Sequence, residues 1–198
     1  MIAKLYPTLR PEISEMFFSR KLILVEGIED VAYLTTYIQL MGRQSNFRRS
    51  GYHIIPVGGK NELIKPLAIA KLLKIEVFVM CDADTNKTRE DEVNKHKNDN
   101  AAILYLLGHD KSECWPDVDI KKINLRMWRT NITDTIGPEF GHEWKQHEDL
   151  AAAHYGNAGS LKKNPLAVSR ALESAWNAGL KSLTLQGLVD CLIPSEKY

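Results

Sequence analysis

Apolar and polar positions fall in blocks along the first part of the chain. KLILV (21–25) is a short apolar run closed by Glu26 and Gly27, the pattern of a buried strand. IEDVAYLTTYIQLMG follows, with Val31, Leu34, Ile38 and Met41 at three- and four-residue spacing, which predicts a helix ended by Gly42. YHIIPV (52–57) reads as a second strand closed by Gly58 and Gly59. ELIKPLAIAKLLK (62–74) reads as a second helix, with Pro66 near its first turn or kinking it. EVFVMCD (76–82) is the third strand. Strand, helix, strand, helix, strand at this rhythm predicts a parallel α/β sheet with right-handed crossovers. The first and third strands are apolar throughout, as strands are when both sheet faces are covered.

The rest is less regular. LRPEISEMFFSR (9–20) is a polar-capped helix or a tether leading into the first strand. TNKTREDEVNKHKNDN carries alternating charges into AAILYLLG, which predicts a long surface helix with an apolar end. KKINLRMW (121–128) is expected as a fourth strand. From TNITDTIG onward the pattern is mainly helical, including LAVSRALESAWNAG (166–179) and LTLQGLVDCLI (183–193). The expected organisation is a lead-in over 1–20 and a core over 21–135 with a helical insertion at about 86–112. A helical portion over 136–198 then completes the site. No internal repeat and no obvious linker interrupts it.

Composition adds limits rather than a function. The 198 residues are 44% hydrophobic and 26% charged, ordinary for a globular chain of one domain with an appended helical piece. No run approaches the roughly 18 apolar residues of a membrane span, and the start lacks the apolar core of a signal peptide. Cys81, Cys114 and Cys191 are isolated, which argues against a disulfide framework or a thiolate zinc site and fits a reducing cytoplasm. The net charge of +1 neither favours nor excludes a nucleic-acid partner.

The chemistry sits at the strand ends. In an open α/β sheet, ligands bind outside the carboxyl ends of the strands. Glu26 ends the first strand, Asp82 and Asp84 end the third, and Asp30 lies one helical turn after Glu26. If the two strands are neighbours, their carboxylates converge on one crevice. Converging carboxylates repel unless neutralised, and their hard oxygens suit Mg²⁺, Mn²⁺ or Ca²⁺. Several carboxylates give room for two ions, about 3.5–4 Å apart in two-metal sites. Taken singly, Asp30 and Asp84 read first as helix-capping or solvated acids. Glu26, at the end of an apolar strand and before a glycine, does not, and capping does not explain the four together.

These residues carry a resemblance. LVEGIED, GGK after the second strand and CDAD after the third resemble the Toprim fold of topoisomerases, primases and several nucleases. The wider layout, introduced by PEISEMFFSRKLILVEG, is similar to the C-terminal nuclease region of the OLD (overcoming lysogenization defect) family. The likeness is best over 11–86 and looser over 120–175. It implies a Toprim-type parallel sheet of about four strands flanked by helices. It also implies metal-dependent cleavage of DNA with Mg²⁺ or Mn²⁺, and an ATPase region preceding this one. By the same resemblance Glu26, Asp30, Asp82 and Asp84 hold the ions, joined by Asp134 of NITDTIG, where the family more usually has the longer Glu. The family also uses a downstream lysine, for which SLKKNP offers Lys162 and Lys163, with Lys163, next to Asn-Pro, preferred. Glu26, Asp82 and Lys163 are then the catalytic set. One ion would lower the pKa of a bound water, while the lysine stabilises charge growing on the phosphoryl group.

Other basic residues are candidates for the DNA backbone. GGK (58–60) is equally a turn and a place where backbone and Lys60 meet a phosphate. Arg43, Arg48 and Arg49 read as a basic loop around Phe47, with Arg48, Arg49 and Lys162 the expected DNA contacts. GHEWKQH is no zinc-protease motif, because His142 and His147 lie about 140° apart around a helix. No P-loop occurs, so no nucleotide site is expected. Two other functions compete with the DNA nuclease. One is a small Toprim RNA-maturation nuclease, whose D-x-D is followed closely by a glycine that DADTNKT lacks. The other is a non-catalytic Toprim module that binds DNA or a partner, which has no need to keep the four acids.

Overall fold

Five short strands form one sheet: β1 (Lys21–Val25), β2 (Tyr52–Pro56), β3 (Glu76–Asp82), β4 (Ile120–Lys122) and β5 (Leu125–Trp128). The spatial order is β2-β1-β3-β5-β4, with β2, β1, β3 and β5 parallel and β4 antiparallel to β5. The structure, a computed structural model, describes residues 14–156 and 164–194. Eight α-helices lie among the described residues: α1 (Ile28–Leu40), α2 (Gln44–Ser50), α3 (Lys60–Leu72), α4 (Glu90–Leu107), α5 (Ile132–Phe140), α6 (Trp144–His154), α7 (Pro165–Asn177) and α8 (Leu183–Leu192). The fold is α/β, a mostly parallel sheet flanked by helices with a helical C-terminal part.

The chain divides into two compact units. One holds the residues up to Glu26 together with Gly51–Asn131; the other holds Gly27–Ser50 and the chain from Ile132 onward. In the first unit Leu22 and Leu24 of β1, Val79 and Cys81 of β3, and Leu125 and Met127 of β5 alternate onto one sheet face. There they meet Leu63 and Leu67 of α3 and Ile103 and Leu104 of α4. Burying each such aliphatic side chain contributes about 1.5–3 kcal/mol, so this layer dominates the unit's stability. The lead-in adds Met16, fully buried in the same cluster from a short 3₁₀ turn (Glu15–Phe18).

Two local expectations need correction. KKINLRMW is a hairpin and not one strand, because the chain reverses at Ile123 and Asn124 and gives a fifth strand. The Asn124 side chain holds that reversal by donating to Leu107 O at 3.3 Å and pairing with the His109 ring at 2.6 Å. The basic stretch around Phe47 is helix α2 and not a loop. Pro66 lies beyond the first turn of α3, buried inside the helix.

In the second unit, α1 is the central helix. Thr36 Oγ1 bonds Ser169 Oγ of α7 at 2.9 Å, and the Tyr37 ring meets Trp176 edge-on at 5.7 Å. The Tyr37 hydroxyl accepts the Ser182 N–H at 2.6 Å, just before α8. Burial pushes that hydroxyl's pKa up to about 12. Glu139 of α5 collects the same turn, accepting from Ser182 Oγ and from Thr184 Oγ1 at 2.6 Å.

Tyr37→Phe removes the acceptor of a buried N–H while keeping the ring. It is expected to lower stability by about 1–3 kcal/mol, as an unsatisfied buried donor does. A urea melt reads the loss as a lower midpoint with an unchanged slope; an unchanged midpoint would show that the bond contributes nothing.

Candidate active site

Strand order decides the first question about the acids. β1 and β3 are neighbours in parallel register, Val25 beside Met80, so the residues that follow them come out on the same sheet edge. β2 pairs with the other side of β1, so the β1/β3 boundary is the place where successive connections diverge to opposite sides of the sheet. Such a switch point is where open α/β sheets bind ligands.

Glu26 and Asp82 meet there directly. Glu26 Oε1 accepts the Asp82 backbone N–H at 2.8 Å, a charge-assisted bond that ties the tip of β1 to the last residue of β3. The main chain of Glu26 is held as firmly. Its carbonyl accepts from both Gly58 N and Gly59 N, at 2.8 and 2.9 Å. Gly58 and Gly59 have φ of 89° and 142°, conformations that let successive N–H groups aim at one oxygen and that side chains other than glycine strain to adopt. The glycine pair is therefore a turn wrapped on Glu26, with its N–H groups already used.

Lys60 differs from its expected role. It opens α3 with only 5% of its side chain exposed. Its ammonium donates to the Asp82 carbonyl and to Asp84 Oδ2, both at 2.7 Å. A buried, doubly bonded ammonium is not placed to grip a DNA phosphate, because the turn after β2 aims it back into the sheet edge.

The Asp82–Ala83–Asp84 turn is pinned from several directions. Ala83 N donates to Trp128 O at 2.7 Å, and Thr85 N to Arg129 O at 3.1 Å, extending the β3/β5 ladder past the strand. Asn100, fully buried on α4, donates from Nδ2 to Ala83 O at 3.0 Å and to Cys114 O at 2.9 Å. Asp84 has φ of 58°, the left-handed region, which costs an L-residue on the order of 1 kcal/mol. Strain kept in place this way clusters at functional sites. His96, one helical turn before Asn100, brings Nδ1 to 3.2 Å from Asp84 Oδ2, outside hydrogen-bonding geometry. Burial and then the Lys60 charge push its pKa down. Neither His96 nor Asn100 carries a sequence signal; their i,i+4 spacing acquires meaning only once α4 lies against the turn.

The remaining described candidates belong to the second unit. Asp30 is in the second unit, where its carboxylate accepts the Gly27 N–H at 2.8 Å and caps α1. Asp134 is exposed in the first turn of α5, in the same unit. The neighbouring Thr133 hydroxyl pairs with Tyr33 at 3.2 Å. Burial, with smaller pushes from Glu148, Asp30 and Glu29 and a smaller opposing one from Thr133, raises the Tyr33 pKa to about 12. Arg48 and Arg49 are exposed at the end of α2, and Arg49 donates to Asn46 at 3.1 Å. Lys162 and Lys163 lie outside the described residues.

A cation fits the donor chemistry of the first unit. The oxygens of Asp84 and Asp82 already take up one positive charge, the Lys60 ammonium, and Glu26 stands on the same sheet edge. Among the described residues no three histidine, cysteine or acidic side chains form a ready-made ion cage.

Asn100→Leu keeps the branched outline of a side chain whose two donated bonds it deletes. It is expected to cost about 1–3 kcal/mol or more, since the Ala83 and Cys114 carbonyls stay buried. Thermal melts that coincide with those of the wild type would show that the turn does not depend on Asn100.

Residues 17–84 match the family described as Overcoming lysogenization defect protein-like, TOPRIM domain. No curated protein matches the chain. Among solved structures, the C-terminal region of the Xanthomonas campestris pv. campestris OLD protein is similar at 15% identity and a TM-score of 0.49. That match covers 90% of this chain and 80% of the other. The C-terminal region of the Burkholderia pseudomallei OLD protein is similar at 14% identity and a TM-score of 0.47, covering 87% and 81%. The matched stretch contains Glu26, Lys60, Asp82 and Asp84, and across it the chain is similar to the Toprim domain of OLD-like proteins.

Proposed function

We propose that the chain is the nuclease module of an OLD-type protein, a divalent-metal-dependent endodeoxyribonuclease. The observation that carries this reading is the bond from Asp82 N–H to Glu26 Oε1, which joins the acidic tips of neighbouring strands at the switch point of a Toprim domain. Mg²⁺ or Mn²⁺, held by oxygens of Glu26, Asp82 and Asp84, would supply a water of lowered pKa and Lewis-acid stabilisation of the phosphodiester.

The chain's own residues do the rest. Glu26, Asp82 and Asp84 present hard oxygens at one edge of the sheet. The Glu26–Asp82 bond fixes one carboxylate oxygen, so the other keeps a defined direction. Preorganisation of this kind removes a reorganisation cost at the moment of reaction. Lys163 is proposed to stabilise the charge that grows on the phosphoryl group. Arg48 and Arg49, exposed at the end of α2, and Lys162 are proposed to contact the DNA backbone, an electrostatic interaction that weakens with salt. The same reading places an ATPase region ahead of the module and the protein in the cytoplasm. Among the described residues no helix is long and apolar enough to cross a membrane.

Supercoiled plasmid tests the proposal. With Mg²⁺ or Mn²⁺ the chain is expected to nick or linearise it, and chelator is expected to stop the reaction. Asp82→Ala and Lys163→Ala are each expected to lower the rate by about 10²-fold or more, the range for losing one electrostatic element of a site. A folded wild type that leaves plasmid intact in every metal but cleaves RNA would favour the RNA-maturation reading. One that binds DNA without cleaving either substrate would favour a binding module.

A further inference from the structure

The buried lysine of the GGK turn has no role in the nuclease reading as it stands. Lys60 is nearly inaccessible, and its ammonium bridges the carbonyl of Asp82 and the carboxylate of Asp84. Two explanations compete: the lysine holds the turn together, or it balances charge.

The turn also has supports other than the lysine. Ala83 is fixed at its N–H by Trp128 and at its carbonyl by Asn100, and Thr85 is fixed by Arg129. Each of these bonds is independent of Lys60. The lysine alone among them brings a full positive charge, and it brings it to the oxygens on which the nuclease reading relies. Glu26, Asp82 and Asp84 carry a formal charge of −3 and Lys60 one of +1. The sum is −2.

We propose that Lys60 is a tethered counter-cation of the Asp82–Ala83–Asp84 turn, which a divalent ion must share Asp84 with, so that its charge sets the affinity of the site for the ion. The proposal rests on the metal-dependent reading above and deepens it. Without an ion, the ammonium neutralises Asp84 and lets the carboxylates stay close in a folded, strained turn. With an ion present, two positive charges a few ångströms apart repel through a medium of low dielectric constant. The site therefore binds its ion more weakly than the same oxygens would alone, and Lys60 acts as a positioning residue for Asp84 rather than as a DNA contact.

The test is calorimetric titration of the folded chain with Mn²⁺ alone, comparing wild type with Lys60→Met, Lys60→Gln and Lys60→Arg. Circular dichroism confirms that each variant is folded. Lys60→Met and Lys60→Gln are expected to bind Mn²⁺ about tenfold tighter or more, because a like charge beside the ion is removed. Their melting temperature without metal should fall and should recover more on adding Mn²⁺ than that of the wild type. Lys60→Arg keeps the charge and should bind as the wild type does. A lysine that only held the turn would give the reverse, a lower melting temperature with Mn²⁺ affinity equal or weaker, and that result overturns the proposal. If the wild type binds Mn²⁺ and the neutral variants match it, this inference fails and the metal-dependent reading stands. If neither wild type nor any variant binds Mn²⁺, both fail together.

Discussion

The carboxylate of Glu26 accepting the main-chain N–H of Asp82 is the contact on which the rest of the site depends. A sheet holds its strands together by ladder bonds, but the ladder ends where the strands do, and the residues beyond it are free to splay. Here a side chain continues the pairing one step further. It joins β1 to β3 across the boundary where neighbouring connections leave the sheet in opposite directions. The carbonyl of the same residue is gripped by two glycine N–H groups, so Glu26 is held on both sides of its α-carbon.

From that point the constraints spread outward in order. The glycine turn that wraps on Glu26 also starts α3, and the first residue of α3 is the lysine whose ammonium reaches the Asp82–Ala83–Asp84 turn. That turn is backed by β5 on one side and by Asn100 of α4 on the other. The bonds from β5 and Asn100 go to backbone, which fixes position without consuming the Asp84 carboxylate. The left-handed conformation of Asp84 persists because its surroundings over-determine it. A charged insertion helix that looks like plain surface along most of its length thus has a structural task at Asn100.

Burial changes the meaning of charge in this unit. An exposed lysine beside a glycine pair suits a phosphate, because water screens it and leaves it mobile. The same lysine with 5% exposure is committed to the oxygens beside it, since taking an ammonium out of water is costly unless it is paired. Tyr33 in the second unit shows the complementary effect, with burial and nearby acids holding its hydroxyl protonated up to about pH 12.

The sequence alone determined the alternation of the first three strands with α1 and α3, their parallel pairing, and the acids at the strand ends. Hydrophobic periodicity and glycine positions are local properties, and KLILVEG and VFVMCDAD carry them in full. It also allowed two meanings for Asp30, helix cap or ligand, and the structure forms a capping bond from Gly27 N–H to its carboxylate. Three features were decided only by tertiary structure. The hairpin within KKINLRMW depends on His109 and Leu107, which are distant in sequence and hold Asn124 at the reversal. The role of Asn100 depends on which face of α4 meets the turn after β3. The direction of Lys60 depends on the turn of Gly58 and Gly59 closing on Glu26 and pointing α3 back at the sheet edge. Each needs two segments to meet in space, and which segments meet is set by burial of the whole core, a property that no single stretch of sequence contains.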